Sequence, residues 1–334
     1  MDLRAVLLVT LLGACSSGAP ETSSRPAHRR GHDSTASESA ARHTPEAPVH
    51  VAPLPPSRYP QPERLVAIGD VHGDLDALLA ILRAAGAVDE AGHWSGGALF
   101  VVQTGDLLDR GDQEEAILET VDRLSAEASE AGGHFLALNG NHEIMNAQGD
   151  FRYVTPGGMA DFAQYADEAP RSLARQVPAE ARGRVGAFHP GGPMALRLAT
   201  HLTIVVVGDT LLVHGGATRE AIEVGLDRIN EGARAFLLGQ APLPPVLDGP
   251  TGPIWYRGFA ESDDAATCTA LAQALEAAQV RRMVVGHTVQ HEGVTRGCDE
   301  RVFRIDVGLG RRYMGPIEAL EITAAGTRVI HGAR

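Results

Sequence analysis

The residues that could do chemistry fall into five short clusters. "GDVHGD" offers Asp70 and His72, and "GDLLDRGD" offers Asp106, Asp109 and Arg110. "GNHE" offers Asn141, His142 and Glu143, while "VHGG" and "VGHT" offer His214 and His287. Each cluster follows an apolar run and adjoins glycine, which lets backbone approach closely. Together they supply carboxylate oxygen, imidazole nitrogen and one amide oxygen, with no thiolate. That set suits manganese, iron or zinc rather than a soft metal. Two of these Asp, three of the His and the Asn already exceed what one ion needs, whereas an aspartate shared between two ions would use all six. Two ions about 3.5–4 Å apart can clamp the attacking and leaving oxygens of an in-line displacement at phosphorus and acidify a bridging water.

Elements must bring these clusters together. The runs at residues 64–70, 99–106 and 134–143 read as buried strands, each ending in a polar cluster. Between them, residues 75–86 and 113–133 carry apolar residues at helical spacing and close on glycine. The order βαβαβ results, and in such folds ligands collect at the carboxyl ends of the strands. Residues 159–198 carry amphipathic helical pieces, so a helical cap insertion is expected over about residues 150–200. Residues 201–216 read as two strands around a Gly-Asp turn. Residues 281–288 form a further buried strand ending in histidine, and "RVFRIDVG", "PIEALEIT" and "TRVIH" close the chain as β-structure. One α/β catalytic domain over residues 63–334 is expected. Asp74 and Asp76 read as caps of the first helix, and Asp112 and Glu114 as first-turn residues of the second. His93, His134, His189, His201 and His291 read as structural or outlying.

Composition narrows the function. The 334 residues are 44% hydrophobic and carry a formal charge of -13, which argues against nucleic acid as a partner. All 29 basic residues are arginine, so lysine-nucleophile and Schiff-base chemistry is excluded. Anions must be held by Arg, metal or backbone. Residues 5–12 are apolar but too short to span a bilayer, which needs about 20, and they read as a signal peptide. "LGAC" resembles a bacterial lipobox, which implies cleavage before Cys15 and lipidation of its thiol. Ser16, with no Asp there, implies an outer-membrane anchor in a Gram-negative-type cell envelope. Residues 16–62, rich in Pro, Ser, Ala and His, read as a disordered tether. Cys268 and Cys298 then remain, and outside the cytoplasm an even pair points to a disulfide, with two buried free thiols as the alternative.

Taken in order, the five clusters resemble the binuclear metallophosphoesterases of the PPP type. "GNHEIMNAQGDFRYVTP", "FHPGGPMALRLA", "GPIWYRG" and "RMVVGHT" narrow the similarity to the Shewanella-like protein phosphatases, over about residues 63–323. The resemblance implies a four-layer αββα sandwich of two mixed sheets flanked by helices, with a helical cap. It implies that Asp70, His72 and bridging Asp106 hold one divalent ion, and Asp106, Asn141, His214 and His287 the other. His142 is then the general acid and Asp109 its carboxylate partner. Arg110 and Arg257 clamp the phosphate, Asn141 and Tyr313 also face the substrate, and Glu143 orients its neighbours. The implied reaction is hydrolysis of a phosphoprotein monoester by a hydroxide shared between the metals, without a phosphoenzyme. Phosphotyrosine is favoured over phosphoserine and phosphothreonine. Alternatives are a broad small-molecule phosphatase, a symmetrical dinucleoside-polyphosphate hydrolase, and a surface lipoprotein that binds without catalysis. "DRG" and "GNHE" depart from the hydrolase pattern, and the six filled ligand positions speak against lost catalysis.

Overall fold

The computed structural model describes residues 51–334. The chain enters at a two-residue strand, β1 (Arg58–Tyr59), then runs β2 (Arg64–Ile68), α1 (Leu75–Ala84), β3 (Phe100–Gln103), α2 (Glu114–Glu130) and β4 (His134–Ala137). Strands β2, β3 and β4 pair in parallel, Leu65 opposite Phe100 and Phe100 opposite His134, as the βαβαβ reading expects. Helix α1 buries Ala77, Leu78, Ile81 and Leu82 on one face. Its N-cap is Asp74, whose carboxylate accepts from the Ala77 amide at 3.1 Å.

A short helix, α3 (Asn141–Ala147), follows β4 directly. The expected insertion is helical: α4 (Pro156–Asp161), α5 (Arg171–Ala174), α6 (Arg182–Phe188) and α7 (Pro193–Leu198). The hairpin is β5 (Ile204–Val207) and β6 (Thr210–Val213), antiparallel around Gly208 and Asp209. Then come α8 (Arg219–Val224), α9 (Leu226–Leu237), α10 (Gly258–Glu261), α11 (Ala265–Ala278), β7 (Arg282–Val285), β8 (Thr295–Gly297), β9 (Val302–Arg304), β10 (Glu318–Thr323) and β11 (Gly326–His331). Two mixed sheets result, ordered β1-β5-β6-β7-β9-β8 and β11-β10-β2-β3-β4.

The strands are apolar on both faces because both faces are covered. Along β2, Leu65 and Ala67 pack against Val205, Leu212, Val284 and Phe303 of the other sheet. The alternate residues Val66 and Ile68 belong to a second core with the helices, including Leu78, Ile81 and Ile117. Strand period two thus splits one sequence run between an inter-sheet core and a helix-sheet core, the αββα layering expected.

Two expectations need correction or placement. The tether was expected to reach residue 62, but β1 lies inside that span and pairs in parallel with β5. Its Pro-rich composition cannot build a core alone. A sheet edge supplies what it lacks: the Val206 amide donates to Ser57 O at 2.9 Å and Gly208 to Tyr59 O at 2.9 Å. The expected signal peptide, the expected lipidation at Cys15 and most of the expected tether lie outside the described residues. Cys268 and Cys298 form a disulfide, with Cα atoms 5.3 Å apart. Among the described residues no helix is long and apolar enough to cross a membrane.

Candidate active site

Every cluster singled out in the sequence sits just past the carboxyl end of a strand. Asp70 and His72 follow β2, Asp106 follows β3, Asn141 and His142 follow β4, His214 follows β6 and His287 follows β7. Packing the two sheets face to face puts those five ends together. The turns are tight. His72, Asp106, Asp109, Arg110 and His287 all have φ between 50° and 67°, a left-handed conformation rare outside glycine. Glycine is required where the turns touch: a Cβ on Gly140 would strike Asp106 Oδ1, and one on Gly286 would strike Asp70 Oδ1.

Asp106 is the centre. Its Oδ2 lies 3.2 Å from His214 Nε2, 3.7 Å from His142 Nε2 and 3.9 Å from His72 Nε2. Its Oδ1 accepts from the His142 amide at 3.0 Å. On one side, Asp70 Oδ2 lies 3.9 Å from His72 Nε2. On the other, His214 Nε2 lies 2.9 Å from Asn141 Oδ1 and 3.1 Å from His287 Nδ1. His72 Nδ1 donates to Leu108 O at 2.9 Å and His214 Nδ1 to Thr104 O at 3.0 Å, so each turns its other nitrogen inward with a lone pair. Arg110 and Arg257 flank the cluster. Arg110 Nη1 is 3.2 Å from His72 Nε2 and also donates to the Tyr313 hydroxyl. Arg257 donates to His287 O at 2.7 Å and Thr288 Oγ1 at 3.1 Å. The structure therefore brings all eleven expected site residues into one place, Tyr313 through its contact with Arg110.

These atoms fit divalent cations. Two groups, His72–Asp106–His142 and Asp106–His214–His287, each place a ligand atom from every member within 4.8 Å of the others. His287 Nε2 is buried with no hydrogen-bond partner. Lone pairs converge here without enough protons to satisfy them, which a cation resolves. Electrostatics agree. Burial, then repulsion from Asp306 and Asp106, pushes Asp70 well above the usual carboxylate range. Burial also acts to raise Asp106, but His214, His142 and His72 outweigh it and hold Asp106 well below that range. Burial and His142 push His72 down to about 3, so its imidazole is neutral and ready to bind metal.

His142 differs from the other imidazoles. Its Nδ1 is 2.5 Å from Asp109 Oδ2. Burial lowers its pKa, but the charges on Asp106 and Asp109 outweigh burial and raise it. His72 and His287 are pushed the other way by burial. His142 Nε2 is also near enough to Asp106 to ligate; the Asp109 bond favours proton donation instead.

Sequence reasoning saw some contributors only in part and missed others. Glu143, read only as orienting its neighbours, accepts from four backbone amides: Gly140 at 2.7 Å, Asp106 and Leu107 at 2.9 Å, and Leu108 at 3.3 Å. It ties the "GDLL" turn to the start of α3. Asp306, buried after β9, raises Asp70 by its charge; the polar cluster "RIDVG" at a strand end was its signal. Glu114 was expected in the first turn of α2 and is there, but fully buried against Arg184. Asn146 donates to Asp109 Oδ1 at 2.9 Å. Tyr153 sits at the mouth, 43% exposed, its ring 5.1 Å from that of His142 and 5.0 Å from the Arg110 guanidinium. Tyr153 lay in the stretch that carries the family similarity but was given no role, and nothing in the sequence marked Arg184 apart from other residues of the insertion.

Comparison with known proteins agrees with this geometry. Residues 63–291 match the family model of the calcineurin-like phosphoesterases. The chain is 39% identical to Shewanella-like protein phosphatase 2 of Arabidopsis thaliana, over 82% of this chain and 79% of that protein. Among solved structures it is similar to a cold-active protein tyrosine phosphatase, with a TM-score of 0.68 and 29% identity over 83% of this chain and 78% of the other. A cold-active protein-tyrosine phosphatase of a psychrophilic Shewanella species gives a TM-score of 0.67 at 28% identity, covering 83% of each chain. With its donor set and strand-end geometry in place, the chain belongs to the calcineurin-like phosphoesterase family, as a metal-dependent phosphatase of the Shewanella-like kind.

Proposed function

We propose that this phosphatase acts on phosphoproteins, binds two divalent ions, and removes phosphate in a single displacement with His142 as proton donor. The observation that carries this reading is the position of Asp106, whose Oδ2 lies between the His72 side and the His214 side of one cluster. Asp70, His72 and Asp106 would hold one ion, and Asp106, Asn141, His214 and His287 the other. Manganese, iron and zinc all suit this nitrogen and oxygen donor set. When bound, the ions supply positive charge that acidifies a water and neutralises phosphate oxygens.

The chain's own residues do the rest. Arg110 and Arg257, on opposite flanks, bind and orient the phosphate as planar donors. His142, protonated on both nitrogens, gives its Nε2 proton to the leaving oxygen, while Asp109 accepts from Nδ1–H and favours the charged ring. Glu143 fixes the turn that carries Asp106. The leaving group must lie beside His142, where the exposed Tyr153 ring gives it an aromatic wall. That wall supports phosphotyrosine over phosphoserine and phosphothreonine, because an aryl group stacks there and an alkyl group does not. The test is kcat/KM on one peptide in its three phosphorylated forms. A hundredfold preference, about 2.7 kcal/mol of discrimination, for phosphotyrosine is expected. Equal, weak rates on all three would reject a protein substrate.

The cellular setting belongs to the same proposal. The "LGAC" stretch and the Cys268–Cys298 disulfide support a lipid-anchored protein of the cell envelope. Labelled fatty acid should enter the native chain in the producing bacterium and not the Cys15→Ala variant; equal labelling of both would reject the anchor.

A further inference from the structure

Arg184, on α6 of the helical insertion, is the largest fully buried side chain among the described residues. A buried guanidinium is costly unless it is paired, so its partners show its purpose. Nη2 donates to Glu114 Oε2 at 2.6 Å and to Asp109 Oδ1 at 2.9 Å. Nη1 donates to Gly158 O at 2.9 Å, and Nε to Asn146 Oδ1 at 2.6 Å. The rings of Phe162 and Phe188 lie 5.3 and 5.0 Å from the guanidinium carbon and keep water out.

Two of these bonds converge on one carboxylate. Asp109 Oδ1 takes Arg184 directly, which leaves Oδ2 for His142 Nδ1. The second route is indirect. Because Asn146 Oδ1 accepts from Arg184, the Asn146 amide must point its Nδ2 at Asp109 Oδ1 and at His142 O, both at 2.9 Å. We propose that Arg184 is a positioning residue for the Asp109–His142 pair, so that seating of the helical insertion on α2 and α3 becomes a condition for protonating the leaving group. The hydrogen bonds of Arg184 go to Asn146, Gly158, Asp109 and Glu114, none of them among the six residues assigned to metal. The inference rests on His142 being the proton donor.

The leaving group tests it, because an ester whose leaving oxygen needs no proton is insensitive to the acid. Turnover by the full chain loaded with manganese is measured on 4-nitrophenyl phosphate and phenyl phosphate, with bound metal and KM recorded for each variant. Arg184→Lys keeps the charge but loses the planar fork. It should lower kcat about a hundredfold on phenyl phosphate and about fivefold or less on the nitrophenyl ester, with KM and metal content nearly unchanged. In an Asp109→Asn background the same change should add nothing further, since both act on one bond. Loss by one common factor on both esters, or no loss, would overturn the proposal and leave Arg184 a structural strut. If Arg184→Lys does not fold, Asn146→Ala decides by the same ratio, with a smaller expected selectivity of about tenfold. His142→Asn separates the two levels. If it affects both esters equally, the proton-donor reading falls and this inference with it. If only His142→Asn is selective, Arg184 alone loses its role.

Discussion

Each imidazole of the cluster is defined by what its two nitrogens touch. His72 and His214 spend Nδ1 on carbonyls, Leu108 O and Thr104 O, and keep a bare Nε2. His142 spends Nδ1 on a carboxylate, which favours the protonated ring. The same residue type is therefore set up to bind metal in one place and, on the proposed mechanism, to donate a proton in another. His142→Asn is expected to lower kcat by about 10²–10⁴ while bound metal, read by elemental analysis, stays near the native content. Undiminished turnover would remove His142 from the mechanism. Asp106→Asn takes away the carboxylate that both groups share, so both ions should be lost or weakened together. Two ions retained at native affinity would show that the groups are independent.

At the scale of elements, the site depends on how the insertion sits. Helices α2, α3 and α6 meet where Glu114, Asn146 and Arg184 meet, and one arginine faces two carboxylates there. Burial pushes Glu114 up to about 7, against the lowering pull of Arg184. The charged groups around it are Arg184 and Asp109, and its Oε1 is buried without a hydrogen-bond partner. Its folded value lies above its unfolded value, so the folded state binds more protons between those two values. The stability it contributes is fully present below about 4.5 and is lost as pH rises through about 7. Glu114→Gln cannot ionise. Its stability relative to the native chain should rise as pH increases across that window, measured as the difference in urea midpoints. A difference that stays flat with pH would mean that Glu114 keeps one protonation state throughout.

At the scale of the molecule, the fold works because five strand ends from two sheets meet at one edge. That arrangement needs both sheets complete and correctly registered. β1 contributes to completeness: Tyr59 packs edge-on against Phe100, with ring centroids 4.9 Å apart, and so links one sheet to the other. A chain beginning at residue 63 should lose this contact and the edge pairing, at a cost on the order of 2 kcal/mol relative to one beginning at residue 49. Thermal unfolding of the two chains reads the difference. Equal midpoints would return residues 51–62 to the status of a tether.

The sequence alone supplied the candidate donors, because each stood beside glycine at the end of an apolar run, and the family resemblance then assigned six of them to metal. Asp70, His72, Asp106, Asn141, His214 and His287 were all legible that way. So were the βαβαβ order and the hairpin, since local periodicity reports local structure. The tertiary structure decided what depends on partners far along the chain. Arg184 looks like any other arginine of the insertion until the fold brings it to Asp109, 75 residues away. Glu114 reads as an ordinary first-turn acid until α6 covers it, and residues 58–59 read as coil until β5 offers an edge. Composition and spacing describe a residue's own segment. Burial, pairing and proton affinity are properties of what surrounds it, and only the packed chain supplies the surroundings.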